Sequence, residues 1–260
     1  MLSKTGMDDI SIGIVAHNNE ADVRAAVASI ERYTGKEIQK KIYIIDNSTQ
    51  ANQIRQLETE YEDVCYTSTG GNIGFGGGHN YIMPELDSQL HAIVNPDIIL
   101  DSDAFRVLLD FMRDESIGMC VPRILDEDGN LQPVYRRELT VADLFIRMFA
   151  KHFFRKRQAY HTMQDMNYNK PFDVPFAQGS FLVIRTELFR SLGGFDERFF
   201  LYMEDADLCR RVNEVSVLRY CPWASVIHKW ERGSHKASHL FRLHLKSMRS
   251  YFQKWGWKLI

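Results

Sequence analysis

The sequence predicts an α/β protein with a mostly parallel sheet and helices on both faces. Three observations carry this. Short apolar runs alternate with stretches of helical spacing from Ile10 to Val121, the signature of repeated βαβ units. Most runs end in turn-forming or polar residues. Acidic and amide side chains follow several runs, at the carboxyl ends of strands, where open α/β sheets bind ligands. A chain of 260 residues is one large domain, or one domain with an appendage, and is long enough to bury a sizeable core.

The elements follow in order. Ile10 to Ala16 reads as a buried strand, stopped by His17-Asn18-Asn19. Asp22 to Tyr33 places Val23, Ala26, Val27 and Ile30 on one helical face. Lys41 to Ile45 is a second strand, ending in Asp46-Asn47-Ser48. Gln53 to Tyr61 is expected to be helical, and Val64 to Thr67 a short third strand. The glycine cluster Gly70 to Gly78 leads into a helix expected to reach about Leu86, and His91 to Val94 forms a fourth strand. Ser102 is the expected N-cap of a helix ending near Asp114. Ile117 to Val121 is a fifth strand, stopped by Pro122.

The pattern then changes. Asp126 to Asn130 is a turn. Thr140 to Tyr160 is expected to be one aromatic, basic helix, and Pro171 to Pro175 extended. Ala177 to Ile184 reads as a strand, followed by a helix that Gly193-Gly194 ends. A helix opens at Glu204 and runs to Val212; Val217 to Tyr220 and Ala224 to His228 read as two short strands. Ser238 to Trp255 is a last, amphipathic helix.

Composition narrows the class. Hydrophobic residues at 45% and charged residues at 25% are ordinary for a soluble globular protein. A net charge of −2 argues against a bulk nucleic-acid binder, so no nucleic-acid partner is expected. Cys65, Cys120, Cys209 and Cys221 form no C-x-x-C pair, which leaves zinc-ribbon and thioredoxin readings without support. Reduced cysteines, a polar start from Met1 to Asp9 and no run of 18 apolar residues give a cytoplasmic expectation.

Four motifs carry candidate chemistry. Asp46-Asn47-Ser48, at a strand end, can hydrogen-bond a nucleobase or ribose edge; as turn formers they also make an ordinary turn. Gly71-Asn72-Ile73-Gly74-Phe75-Gly76 fits neither the dinucleotide fingerprint, since His79 stands where Gly or Ala is needed, nor a P-loop, since Gly77 stands where Lys is needed. Close backbone approach and a helix start are the expectation there. Asn95-Pro96-Asp97 puts a carboxylate at a strand end, where Mg²⁺ or Mn²⁺ with oxygen ligands suits a diphosphate leaving group. Capping is the plainer alternative, and Asp101 and Asp103 lie close by. Glu204-Asp205 opens a helix behind the aromatic run Phe199 to Tyr202. Acids there favour the helix dipole, and an aromatic wall also raises carboxylate basicity as a general base requires. His228, at a strand end, is a candidate metal or phosphate contact, or a satisfied edge residue.

Taken in order, these motifs resemble the family-two inverting glycosyltransferases of GT-A fold, closest to their bacterial rhamnosyltransferase-like branch. The matching residues are Ala16-His17-Asn18, Asp46-Asn47-Ser48, Gly71 to Gly76, Asn95-Pro96-Asp97, Gln178-Gly179-Ser180, Gly193 to Asp196, Phe199 to Arg211, and His228. The resemblance covers roughly Ile10 to Ser234. It implies a nucleotide-sugar-binding half over 10–122 and an acceptor half over 123–235, together a GT-A domain over 1–235. It implies that Ala16, Asn18, Asp46, Asn47, Gly71, Asn72, Gly74, Phe75, Asn95 and Asp97 hold a dTDP- or UDP-sugar donor. Asp97 would be the metal-binding acid, helped by His228, with Asn95 where the family's two-acid motif has its first acid. Asp205 would be the catalytic base, Glu204 its support, and Gln178, Gly179 and Ser180 acceptor contacts.

From Arg232 to Ile260 there are seven Lys/Arg and no Asp or Glu. Residues 236–260 are therefore read as a basic amphipathic helix. Leu240, Phe241, Leu245, Met248, Phe252 and Trp255 share a broad face that either lies on an anionic membrane or packs on the domain. A membrane-seated, lipid-linked glycan acceptor at the inner face of the plasma membrane would give it a purpose. Two other classes are kept open: a sugar nucleotidyltransferase, which needs basic residues that Gly70 to Gly78 lacks, and a catalytically silent glycan- or nucleotide-binding module.

Overall fold

The computed structural model describes residues 8–150, 153–229 and 238–260. Its centre is a nine-stranded sheet. In chain order the strands are β1 (Asp8–Ala16), β2 (Lys40–Asp46), β3 (Val64–Ser68), β4 (Ser88–Val94), β5 (Ile98–Ile99), β6 (Ile117–Leu125), β7 (Tyr135–Arg136), β8 (Phe172–Asp173), β9 (Phe176–Ala177), β10 (Phe181–Arg185) and β11 (Val217–His228). The helices are α1 (Glu20–Tyr33), α2 (Leu57–Glu60), α3 (Phe75–Tyr81), α4 (Ala104–Phe111), α5 (Val141–Phe145), α6 (Arg155–His161), α7 (Thr186–Ser191), α8 (Glu204–Val215) and α9 (Ser238–Trp255).

The strand order is β3-β2-β1-β4-β10-β6-β11-β5, with β8 beside β11, while β7 and β9 form a separate ribbon. β1, β2, β3, β4, β6 and β11 run one way; β10 and the two short strands β5 and β8 run the other. The sheet is therefore mostly parallel. Its central strands are near-continuous apolar runs, as burial on both faces requires: β1 is buried from Asp9 to Ala16. α1 forms because Val23, Ala26, Val27 and Ile30 recur on one face, with Glu20 and Asp22 in its first turn and Arg32 in its last. Truncating Ile30 to Ala would cost about 2–5 kcal/mol, since the pocket it fills is fully closed.

Several boundaries differ from expectation, each for a local reason. β6 runs through Pro122 to Leu125. The proline is tolerated because pairing with β10 ends at Cys120 and pairing with β11 is interrupted between Tyr220 and Ser225. β11 is accordingly one irregular strand where two were expected. The expected strand from Ala177 to Ile184 splits: β9 pairs with β7, β10 pairs with β4, and Gln178-Gly179-Ser180 form the break. Asp103, not Ser102, caps α4, its carboxylate accepting from the Arg106 N–H at 3.1 Å. The helix after the glycines ends at Tyr81 and gives way to a 3₁₀ turn at Met83–Glu85 containing Pro84. Residues 53–61 are a 3₁₀ turn followed by the short α2. The expected helix from Thr140 to Tyr160 divides into α5, a π turn at Ile146–Ala150, and α6.

α9 covers the span expected of it, and Ser247, Tyr251 and Phe252 are buried against the domain. Lys254 is fixed by Asp196 at 2.8 Å and Asp207 at 2.6 Å. The Trp255 Nε1–H donates to Asp207 at 2.8 Å. Phe241 and Leu245 stay exposed, and residues 236 and 237 lie outside the described residues. No helix of the described residues is long and apolar enough to cross a membrane.

Candidate active site

The end of β4 makes the first corner. The Asn95 N–H donates to the Ser180 carbonyl at 2.9 Å, so the 178–180 break sits against the Asn95-Pro96-Asp97 turn. Asp97 Oδ2 lies 3.2 Å from His228 Nε2 at the end of β11. His228 is buried, and its Nδ1 is 3.0 Å from Gln132 Oε1, an acceptor, which assigns the proton to Nδ1 and turns Nε2 toward Asp97. The Gln132 amide in turn donates to the His228 carbonyl at 2.8 Å. Asp97 Oδ1 is buried without a hydrogen-bond partner among the described residues. A carboxylate with an orphaned oxygen beside an oriented imidazole is a donor set that suits Mn²⁺ or Mg²⁺. Among the described residues there is no cluster of three or more His, Cys, Asp or Glu that could hold a metal, so further ligands would have to come from substrate oxygens and water.

The end of β2 is two strands away, about 10 Å at the usual strand spacing. Asp46 is nearly buried there and fully engaged. Its Oδ1 accepts from the Ser48 N–H at 2.9 Å, and its Oδ2 from Asn52 at 3.0 Å and the Tyr66 hydroxyl at 2.9 Å. Burial pushes its pKa up, but these hydrogen bonds outweigh it and hold Asp46 below the usual carboxylate range. Asn47 is buried and ties two segments together, donating to the Gly74 carbonyl at 2.8 Å and accepting from Thr69 Oγ1 at 2.8 Å. The Ala16 carbonyl accepts from the Asn47 N–H at 2.9 Å. Asn18, exposed with φ of 57°, accepts from the Thr49 and Gln50 N–H groups. Gly71 accepts from Thr69 Oγ1 through its carbonyl, and Asn72 Oδ1 accepts from the Gly74 N–H at 2.9 Å.

Gly74 has a packing reason to be glycine. Its φ is +85°, and a Cβ there would sit 2.3 Å from the Phe200 carbonyl oxygen. α3 starts at the next residue, Phe75. The glycine loop thus locks the end of β2 against the aromatic run that precedes α8.

That run ends in two consecutive non-glycine residues with positive φ, Tyr202 at 69° and Met203 at 70°. Such conformations cost on the order of 1–3 kcal/mol each and cluster at functional sites. They deliver Glu204 and Asp205 into the start of α8. Asp205 is half-buried; its Oδ2 accepts from the Gly179 N–H at 3.0 Å and its Oδ1 from the Ala206 N–H at 2.8 Å. Burial raises its pKa, while those two hydrogen bonds and the charges of Arg136 and Arg147 oppose the rise. Glu204 is buried, with Oε2 unpartnered among the described residues. Burial first and the Asp205 charge second push its pKa well up and favour its protonated form.

The site residues converge unevenly. Gly179 is bonded to Asp205 and its neighbour Ser180 to Asn95, so one short break fastens both corners. Ser180 is buried, and Gln178 is half-buried with its N–H donating to the Val134 carbonyl at 3.2 Å. Sequence reasoning missed Gln132, 96 residues from the histidine it orients, and the placement of Arg136 and Arg147 around Asp205. No local pattern marks any of them.

A mostly parallel sheet with one antiparallel strand in its middle, two acidic corners joined through the break before that strand, and helices packed around it define the GT-A class of glycosyltransferases. The chain matches glycosyl transferase family 2 over residues 11–193 and belongs to that family. It is 27% identical over 233 residues to the low-salt glycan biosynthesis hexosyltransferase Agl10 of Haloferax volcanii, covering 87% of this chain and 69% of that one. It is 26% identical to the N-acetylglucosaminyl-diphospho-decaprenol L-rhamnosyltransferase of Mycobacterium tuberculosis (91% and 82% covered) and 27% identical to rhamnosyltransferase WbbL of Escherichia coli (94% and 93% covered). Among solved structures it resembles GalNAc-T7 with UDP, GalNAc and Mn²⁺ (TM-score 0.68, 17% identity) and the mannosyltransferase PcManGT of Pyrobaculum calidifontis with GDP-Man and Mn²⁺ (0.65, 12%). Each aligns with 96% of this chain, which spans 48% and 65% of those longer chains.

Proposed function

We propose that this glycosyltransferase is inverting and metal-dependent, moving a sugar from a nucleoside-diphosphate donor to a hydroxyl of a glycan or lipid-linked glycan in cell-surface polysaccharide biosynthesis. Rhamnose is the favoured sugar, from a dTDP donor ahead of a UDP donor, because two relatives carry rhamnosyltransferase names. The observation that carries the reading is the joining of the Asn95-Pro96-Asp97 turn, through Asn95, to Asp205 by way of the adjacent residues Ser180 and Gly179. The same proposal divides the chain into a nucleotide-sugar half, 10–122, and an acceptor half, 123–235.

Asp97 and His228 would hold Mg²⁺ or Mn²⁺, with Gln132 fixing the imidazole. When bound, the ion neutralises charge on a diphosphate leaving group. The nucleoside lies along the ends of β1 and β2, where Asn18, Asp46 and the loop from Gly71 to Phe75 form its wall. Asp205 takes the proton from an acceptor hydroxyl; that oxygen bonds to the anomeric carbon as the carbon's bond to the diphosphate oxygen breaks, inverting the centre. The two backbone N–H groups hold the Asp205 carboxylate in one orientation, and its raised basicity suits proton removal. Burial and the Asp205 charge favour the protonated form of Glu204, which favours Asp205 as the base of the pair. The outer face of α9, with Phe241 and Leu245 among Arg242, Lys246 and Arg249, would rest on an anionic membrane.

The test is nucleoside-diphosphate release from a panel of dTDP-, UDP- and GDP-sugars with Mg²⁺ or Mn²⁺, wild type against Asp205→Asn. Metal-dependent release from one donor, lowered about 10²–10⁴-fold in the variant, is expected. Absence of both release and nucleotide binding would overturn the reading in favour of a silent module.

A further inference from the structure

Glu204 and Asp205 follow a turn that its own residues do not favour. Tyr202 and Met203 both have positive φ, and neither is a glycine. Residues in that region persist only where the surrounding structure over-determines them. On one side the turn meets the glycine loop, where a Cβ on Gly74 would run into the Phe200 carbonyl. On the other side it meets α9. His244, Ser247 and Tyr251 recur on α9 at helical spacing, and Lys254 and Trp255 continue it, so all five share one side of the helix.

Each contact of that stripe falls beside the two acids. The Ser247 hydroxyl donates to the Leu201 carbonyl at 2.8 Å. That carbonyl lies in the peptide plane that ends at the Tyr202 nitrogen, so the bond fixes the plane from which the positive φ of Tyr202 departs. The His244 ring stacks on the Tyr202 ring, with centroids 4.7 Å apart and planes 25° apart, and so holds the side chain of the same residue. Farther along, Lys254 pairs with Asp207 at 2.6 Å and the Trp255 indole donates to it at 2.8 Å. Asp207 is fully buried in the first turn of α8. The Arg210 guanidinium, about one helical turn on, lies 4.4 Å from the centre of the Trp255 ring. The stripe thus holds the chain before the acids, at Leu201 and Tyr202, and after them, at Asp207. Packing α9 on the domain needs only its buried apolar residues, Tyr251 and Phe252. Ser247 is buried as well, and a buried hydroxyl is costly unless bonded; its bond goes to the strained turn.

We propose that α9 is a strap that sets the Asp205 carboxylate in its working position, with Ser247 and His244 as positioning residues acting through the turn from Leu201 to Met203. The Gly179 and Ala206 N–H groups orient that carboxylate only while the turn delivers the start of α8 to the same place. Misplacement of a reacting group by about 1 Å costs on the order of 100-fold in rate. The proposal rests on the glycosyl-transfer reading for the identity of Asp205 as the base.

The test combines a readout that needs no substrate with one that does, both on the full chain. The variants are Ser247→Ala, His244→Ala, the double variant, His244→Phe, which keeps a stacking ring, and Gln253→Ala at an exposed position of α9. Hydrogen–deuterium exchange is expected to speed up at least about 10-fold at residues 201–206 in the double variant, with β3 unchanged. Nucleoside-diphosphate release from the donor found in the panel is expected to fall about 10–100-fold in kcat. Donor KM and the calorimetric affinity for the released nucleoside diphosphate should stay within about threefold of wild type. His244→Phe and Gln253→Ala should keep kcat within about threefold of wild type. Unchanged exchange at 201–206 in the double variant would overturn the proposal. So would faster exchange there with wild-type kcat, or a nucleotide affinity that falls in step with kcat, which would make α9 a scaffold for the whole domain. If the double variant does not fold, Ser247→Ala, which deletes one hydroxyl, is judged by the same three outcomes. Failure of the glycosyl-transfer reading shows separately, as absent release and absent nucleotide binding in wild type.

Discussion

Asp46 and Asp205 are both carboxylates withdrawn from water near the same edge of one sheet, yet their surroundings act in opposite directions. Asp46 receives three hydrogen bonds from Ser48, Asn52 and Tyr66 and is held acidic. Asp205 receives two, both from backbone N–H groups, beside a second carboxyl on Glu204, and burial leaves it more basic than an ordinary aspartate. The first region is finished: its charge is satisfied by the fold. The second is unfinished, with Glu204 Oε2, Arg136 Nε and Asp97 Oδ1 all lacking hydrogen-bond partners among the described residues and two residues in left-handed backbone just upstream of Glu204. Buried polar groups are ordinarily paired, and these three unpaired atoms belong to or neighbour the residues assigned to the chemistry, where a ligand would complete them.

Gly74 is the joint between the two regions, holding Asn47 through its carbonyl and meeting the Phe200 carbonyl with its α-carbon face. Gly74→Ala is therefore the change with the largest expected effect. Strain at positive φ and overpacking together come to about 2–6 kcal/mol, a large share of the stability of an ordinary domain. Urea denaturation should show the loss, while Gly71→Ala, whose Cβ would meet nothing within 4 Å, stays within about 1 kcal/mol of wild type. Equal midpoints for the two variants would mean the regions are not coupled through this contact.

The corner at Asp97 comes next in size. Gln132→Ala removes the partner that orients His228. Second partners of metal-binding histidines are typically worth about 10–100-fold in affinity. Titrating Mn²⁺ against nucleotide binding is expected to show that loss, and an unchanged affinity would detach His228 from metal binding.

How much of this was legible in the sequence follows the range of the interactions. The order of strands and helices in 10–121, apart from the two-residue β5, could be read because apolar runs and their spacing are local properties. The acids at strand ends and at the start of α8 could be read for the same reason. Pro122 misled because its tolerance depends on where two neighbouring strands stop pairing. Gln132, Arg136 and Arg147 were invisible because their significance lies in residues far along the chain. Tyr202 and Met203 carry no sign of their backbone, since neither residue type favours positive φ. Even Asp46, picked out correctly as a strand-end acid, was indistinguishable in sequence from Asp205; only the count of donors around each separates them.

The opposite pKa shifts make the comparison testable by pH. For Asp46 the folded pKa is lowered, so its stabilisation is present above the usual aspartate value and is lost as pH falls through the lower, folded value. Asp46→Asn is expected to cost about 1–2 kcal/mol at pH 7, with the gap to wild type closing below about pH 4. Thermal melts from pH 3 to 8 check it. A gap that persists unchanged at pH 3 would assign the loss to packing rather than to the ionised carboxylate.

Glu204→Gln is the smallest expected effect and the sharpest discriminator. The folded pKa of Glu204 is raised, so its contribution is fully present below the usual glutamate value and lost as pH rises through the folded value. Glutamine imitates the protonated acid, so the variant should match wild type below about pH 4 and be equal or more stable at about pH 9. Turnover should stay within about fivefold of wild type, since loss of a general base costs far more. The acid limb of the pH–rate profile belongs to Asp205 and falls as pH drops through its raised value. Removing a neighbour that would carry charge at high pH leaves that limb in place or moves it slightly lower. A collapse of turnover in Glu204→Gln with Asp205→Asn still active would reverse the roles of the two acids. The unsatisfied Oε2 of Glu204 would then be the oxygen waiting for the acceptor, and the contrast with Asp46 would have to be drawn one residue earlier along α8.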